Sequence, residues 1–269
     1  MVSNWVSNYG VSRFPKMLTG LSLFTILASA ALAQVPSTGL VASNRDTTTP
    51  VRAELPPEMR GDILMARKMY REAIETYQTG PKDSAVIVNK IGIAFHQMQD
   101  LENARKCYDR AAKLKPDYAE AVNNLGTIYY SQKSYRRAVN LYKRALKLTP
   151  DSASIHSNLG TAYFGRKDYE KAFEEYQTAL KLDPEVFEHR SSHGVLLQER
   201  TVDERAKFHF YLAKTYAKAG NVDRAMLYVR KAIEEGFKER EKFSKDPEFA
   251  ALRDLPEFKI LMTTEYKVI

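Results

Sequence analysis

Hydrophobic positions in the middle of the chain fall at helical steps, and the steps themselves recur every 34 residues. Ala138, Tyr142 and Ala145, spaced by four and three, share one face of a helix. Six rows keep the beat: Gly92, Gly126 and Gly160; Phe95, Tyr129 and Tyr163; Ala104, Ala138 and Ala172; Tyr108, Tyr142 and Tyr176; Ala111, Ala145 and Ala179; Pro116, Pro150 and Pro184. Such self-similarity marks a stack of small units that bury their apolar faces against one another. Each copy is predicted to be two helices joined by a tight turn. Leu125-Gly126 with Tyr129 gives the first helix a notched apolar face, and Ala138, Tyr142 and Ala145 give the second its match. A large residue at Gly126 or Ala138 should overpack the pair, at about 1–3 kcal/mol. Asp100, Ser134, Asp168 and Asn221 stand where each second helix should begin, and are expected to cap its first-turn amides. Lys113, Lys147 and Lys181 fall in the last turns, where the helix dipole favours cations. The prolines then forbid continuation.

Two copies are degenerate. Gly61, Ala73 and Tyr77 repeat the Gly160, Ala172, Tyr176 set at an offset of 99, three short of three periods, so the connection at Gly80–Ser84 is trimmed. Leu212-Ala213, Tyr216, Gly220, Ala225 and Ala232 mark another hairpin downstream. Between them the beat falters at Arg190-Ser-Ser-His193 and Thr201-Val-Asp, which reads as an extra helix or a half-repeat. After Phe237, Asp246-Pro247-Glu248 starts a helix, and Phe249, Leu252, Phe258, Leu261 and Met262 offer an apolar face that suits a cap over the open end of the stack.

The 34-residue period with these rows resembles the tetratricopeptide repeat (TPR) family. The resemblance implies an all-α fold, a TPR-type α-solenoid in which helix-turn-helix hairpins wind into a right-handed superhelix with short C-terminal capping helices. The repeat domain is placed at 54–236, with repeats at 85–118, 119–152 and 153–186, degenerate ones at 54–84 and 206–236, an irregular segment at 187–205 and a helical cap at 237–269. In this family first helices line a concave groove, which implies a partner-binding surface of Asn89, Lys90, Asn123, Asn124, Thr127, Tyr130, Asn158, Thr161 and Phe164. Ile93, His96 and Ser157 fall on the same face. Asn124 and Asn158 stand one repeat apart, and an amide can pair with both the N–H and the C=O of an extended peptide. The carboxylate clamp of some family members is absent, because its places hold Glu58, Asp62, Lys90, Glu120 and Asn124, or Asn89, Ile93, Asn124, Ser154 and Asn158.

Composition adds the address and removes chemistry. The 269 residues are 44% hydrophobic and 28% charged, as in a folded chain, with one cysteine and a formal charge of +8. Arg13 and Lys16, a short apolar run from Met17 and Ala31-Leu32-Ala33 read as a signal peptide (1–33), cleaved after Ala33. An uncleaved anchor is the alternative. Residues 34–53 read as a flexible linker. The protein is then expected outside the cytoplasm, periplasmic or extracellular. No Walker loop, GxSxG elbow or dinucleotide fingerprint appears, so no catalytic residue, metal or cofactor is expected. His189 and His193 are the nearest approach to a metal pair, and an enzyme using 185–205 is the remote alternative. His156 and His209 stand where packing residues are expected, and Cys107 reads as a buried, inert thiol. Lys133, Arg136, Arg137, Lys143, Arg144 and Lys147 make one second helix basic, a solvated face by default. The expected function is a non-enzymatic scaffold that binds other proteins, by an extended peptide or helix in the groove, with no nucleic acid and no small-molecule cofactor. The other reading is a structural subunit of an envelope assembly, docked by its convex face or its tail near Phe249 and Phe258.

Overall fold

The structure, a computed structural model, describes residues 54–188 and 201–264. The expected signal and linker, His189, His193 and most of the irregular segment lie outside the described residues. Five helical hairpins follow one another: α1 (Pro57–Ala66) with α2 (Tyr70–Gln78), α3 (Ala85–Gln97) with α4 (Leu101–Leu114), α5 (Ala119–Ser131) with α6 (Tyr135–Leu148), α7 (Ala153–Gly165) with α8 (Tyr169–Leu182), and α9 (Val202–Lys218) with α10 (Val222–Glu234). Then come α11 (Glu241–Lys245), a 3-10 turn at Pro247–Leu252, and α12 (Pro256–Thr263). From α2 to α7 each second helix packs on the first helix of the next hairpin. This is the all-α, tetratricopeptide-type solenoid with short capping helices.

The rows of small and aromatic residues make the core. Ala104, Ala138, Ala172 and Ala225 are buried, as are Tyr77, Tyr108, Tyr142 and Tyr176. Within each of the first four hairpins the tyrosine ring lies over a glycine of the facing helix. A Cβ on Gly126 would stand 2.7 Å from the Tyr142 ring, and one on Gly160 2.6 Å from that of Tyr176. Neither distance is available to real atoms, so close approach requires glycine here.

The turn inside each hairpin is the same device five times. Lys68, Gln99, Lys133, Lys167 and Gly220 have φ between 57° and 76°, in the left-handed region. The following amide then reaches back to the first helix: Asp100 N–H to Phe95 O at 2.9 Å, Ser134 to Tyr129 at 2.8 Å, Asp168 to Tyr163 at 3.0 Å and Asn221 to Tyr216 at 3.0 Å. These bonds satisfy carbonyls that a helix end otherwise leaves open. Only glycine adopts that conformation without steric cost, so four of the five turns hold it against local preference.

Capping departs from expectation at two of four places. The Asp100 carboxylate accepts from the Asn103 amide and the Asn221 side chain from that of Arg224, both at 3.1 Å. Ser134 and Asp168 make no such bond. Asp168 instead faces Arg166 at 3.2 Å. The fifth hairpin also begins earlier than expected, at Val202 and not near 206. Thr201-Val-Asp, where the repeat pattern falters, starts this helix: Thr201 Oγ1 accepts from the Glu204 amide, and Glu204 Oε2 accepts from the Thr201 amide, both at 3.2 Å. That reciprocal pair is a capping box, satisfying two terminal donors at once. Before the gap, Phe187 packs between Tyr176 and Tyr216, with ring centroids 5.5 and 6.1 Å away.

Beyond α10, Phe237, Phe243 and Phe249 close around Phe210, with centroids 4.6, 5.2 and 5.7 Å from it. All four rings are buried. Lys214 on α9 holds the same segment by ion pairs to Asp246 (3.2 Å) and Glu248 (3.6 Å). Phe249 and Phe258 therefore belong to the interior of the cap, not to an exposed docking tail.

Candidate functional site

The residues expected to line the groove lie on α3, α5 and α7, the first helices of successive hairpins. The asparagines form a ladder between those helices. Asn124 Nδ2 donates to Asn89 Oδ1 at 3.1 Å, linking α5 to α3, and Asn158 Nδ2 donates to Asn123 Oδ1 at 3.0 Å, linking α7 to α5. A longer contact, 3.5 Å from Asn123 Nδ2 to Asn124 Oδ1, joins the two rungs. Asn89 Nδ2 continues to Glu120 Oε1 at 2.9 Å, and the Tyr118 hydroxyl donates to Glu120 Oε2 at 3.1 Å. All four asparagines are at most 5% exposed. A buried amide needs partners, and these four find them in one another.

Thr127 and Thr161 are buried as well, and each anchors a core tyrosine. The Tyr142 hydroxyl donates to Thr127 Oγ1 at 3.2 Å, and that of Tyr176 to Thr161 Oγ1 at 3.3 Å. Each threonine in turn donates to the carbonyl four residues back, of Asn123 or Ser157. In the first hairpin Asp62 takes the threonine's place and accepts from the Tyr77 hydroxyl at 2.7 Å. Phe164 is buried between hairpins, its ring centroid 5.1 Å from Tyr169 and 5.5 Å from Phe208. Tyr130 stays half-buried, 5.4 Å from the Tyr135 ring.

Lys90 sits between two carboxylates of α1, with Nζ 2.7 Å from both Glu58 Oε1 and Asp62 Oδ2. Burial works against its charge, but the hydrogen bonds it donates to Asp62 and Glu58 prevail and raise its pKa. The nine sequence-derived residues thus share one face, with different exposures. The asparagines, the threonines and Phe164 form its floor, while Lys90 and Tyr130 stay half-exposed, with Ile93, His96, Ser154 and Ser157 beside them. Glu58, Asp62 and Glu120 stand at the places already compared with the carboxylate clamp, but their bonds to Lys90, Asn89 and Tyr118 were not expected. The spacing of 35 between Asn89 and Asn124, and between Asn123 and Asn158, was the available signal.

His156 and His209 do more than pack: each bonds a carboxylate, Glu175 at 2.7 Å and Glu235 at 2.8 Å. Burial lowers the pKa of His96 and raises that of the Cys107 thiol, which is half-buried where a buried one was expected. Among the described residues no three His, Cys, Asp or Glu side chains gather as a metal site.

The family model described as TPR repeat matches residues 92–133 and 126–166, and that described as tetratricopeptide repeat matches 153–186. Residues 92–186 are therefore tetratricopeptide repeats. Comparison with curated protein sequences gives no match. Similar solved structures include MamA residues 41 to the end from Desulfovibrio magneticus RS-1, 22% identical, with 71% of this chain and 95% of that one covered and a TM-score of 0.47. Another is YrrB, a TPR protein with an unusual peptide-binding site, 15% identical, with 68% and 87% covered and a TM-score of 0.45.

Proposed function

We propose that the chain is a non-enzymatic scaffold that holds an extended segment or a helix of a partner protein against the inner face of α3, α5 and α7. The observation that carries this reading is the asparagine ladder. It fixes three neighbouring first helices in register through their polar side chains, so the surface above it is preorganised. A rigid surface loses less conformational freedom on binding and leaves more of the contact energy as affinity. The ladder's amides are engaged with one another, so Asn124 and Asn158 act as the floor, and the contacts with a partner fall to Tyr130, Lys90, Ile93, His96, Ser154 and Ser157. Tyr130 supplies broad apolar area at low entropic cost. The same proposal takes the protein to be exported, periplasmic or extracellular, after cleavage following Ala33.

Photo-crosslinking in cells tests both parts. A photoreactive residue at Gln97 or Ser157, on first helices, is expected to give a discrete adduct, whereas the same residue at Thr178, exposed on α8, gives none. Adducts from Thr178 alone would overturn the groove reading. The mass of the unreacted protein reports the export reading: loss of residues 1–33 is expected, and retention of that segment, Trp5 included, would count against cleavage.

A further inference from the structure

The second helices carry charges of both signs, with one exception. Helix α4 carries Glu102 and Asp109 among its lysines and arginines, α8 carries Glu170, Glu174 and Glu175, and α10 carries Asp223 and Glu234. Helix α6 has Arg136, Arg137, Lys143, Arg144 and Lys147 and no acidic residue. All five are exposed. None forms an ion pair with a carboxylate among the described residues. Their contacts are of other kinds: Arg137 lies over the Tyr129 ring at 5.5 Å, Lys143 over that of Tyr163 at 5.7 Å, and Arg144 donates to the Pro116 carbonyl at 3.2 Å.

This arrangement works against the helix that bears it. The other four second helices place an acid in the first turn: Glu72, Glu102, Glu170 and Asp223. A carboxylate there suits the positive end of the helix dipole. Helix α6 places Arg136 and Arg137 there instead, next to Lys133 in the turn and with no side-chain cap at Ser134. Lys143 and Lys147, four apart, repel one another on one face. Natural sequences break such local rules mainly where function requires it.

We propose that the exposed face of α6 is a docking ridge for an acidic segment of a partner protein. The ridge from Arg136 to Lys147 spans about 17 Å at the rise of an α-helix, the length of roughly three turns of a partner helix. Its borders decide the occupant. Exposed Glu170 and Glu174 stand on α8, the next second helix, and a flat anionic membrane would press against them, whereas a narrow acidic segment laid along α6 meets its cations. The carboxyl-terminal part of a second copy is a poor match, because its acids are interleaved with cations: Glu239 pairs with Lys242 and Lys207, Asp246 with Lys214, and Glu257 with Arg230. The ridge is on the opposite helices from the inner face and its occupancy does not depend on the groove reading.

The test is fluorescence anisotropy of a labelled oligoglutamate peptide titrated with the full chain, at low and at physiological salt. Binding is expected, weakening as salt screens the ridge. Arg136→Glu/Lys147→Glu reverses two cations that contact no other side chain, and should weaken binding by about tenfold or more. Lys245→Glu/Lys259→Glu makes the same change in net charge on the exposed cap helices, away from the ridge, and should weaken it by less than about threefold. Circular dichroism checks that both variants remain helical, and Arg136→Gln/Lys147→Gln replaces the first should it unfold. Equal losses in the two variants, or no binding at low salt, would overturn the proposal. So would phosphatidylglycerol vesicles binding through Arg136 and Lys147 while the peptide does not bind, which would assign the ridge to a membrane.

Discussion

The closest fit in the molecule is between one glycine and one tyrosine, repeated four times and then exchanged. In the first four hairpins glycine stands eight residues before the second helix's cap position and tyrosine eight residues after it, as with Gly126, Ser134 and Tyr142. In the fifth hairpin, counted from Asn221, those places hold Ala213 and Val229, both fully buried. A methyl group has been added on one side and a ring removed on the other, so the contact is one of complementary volume. Gly126→Ala should therefore cost about 2 kcal/mol, because overpacking against a ring that cannot move exceeds the helix propensity gained. Tyr142→Val alone should cost about 3 kcal/mol through the cavity it leaves. The double variant, which rebuilds the fifth hairpin's pair, should cost clearly less than the sum, with a coupling of about 1 kcal/mol or more in urea titrations. Strict additivity would mean that the two residues do not constrain each other. Both rows were legible in the sequence because identity at a fixed spacing survives without knowledge of the fold. The left-handed turns were not. Lys133 and Lys167 have no preference for positive φ, which is imposed by two antiparallel helices meeting across so short a connection.

Between elements, the asparagines show where periodicity stops being informative. Spacing gave Asn89, Asn123, Asn124 and Asn158 a common register on successive first helices. It could not reveal that neighbouring first helices approach closely enough for the amides to bond across 35 residues, since a repeat pattern carries no inter-helix distance. The second misjudged element was the start of α9. Thr201 and Glu204 are a capping signature at the right spacing, but they fall off the 34-residue beat and so were read as part of an extra helix or a half-repeat. The ladder makes a pH-dependent prediction. Asn124 Nδ2 is the donor to Asn89 Oδ1, so Asn124→Asp replaces a donor by an acceptor. A carboxylate there would be buried, would face an oxygen, and would lie one turn from Glu120. All three raise its pKa in the folded state. The folded form then prefers the protonated acid, which can donate to Asn89 as the amide did. The variant should be destabilised by about 3 kcal/mol or more near neutral pH. Its stability relative to wild type should recover as pH falls toward about 4, where the unfolded carboxyl is also protonated. Thermal melts at several pH values check this; a gap that stays constant or widens on acidification would show that the amide's donor role is unimportant.

For the described molecule as a whole, the two ends of the stack are finished differently. At one end Leu55, just before α1, and Met59 and Ile63 on it are exposed. At the other, the 3-10 turn and the short helices on either side of it cover α9 and α10 with buried aromatic rings. A stack of repeats is held by contacts between neighbours, so damage at one end spreads inward only as far as the interfaces transmit it. Phe249 is the sharpest probe of that. It is fully buried, with its ring centroid 5.1 Å from Phe243 and 5.7 Å from Phe210. Phe249→Ala should remove about 3–5 kcal/mol of local stability, and it should do so unevenly. Amides of α9, α10 and the cap should lose hydrogen-exchange protection by orders of magnitude, whereas those of α3 to α6 keep theirs, because the interface from α6 to α7 is intact. A uniform loss across all hairpins would mean that the solenoid opens as one cooperative unit. In that case the groove and the α6 ridge would depend on the cap, and a substitution at the far end would weaken binding at both.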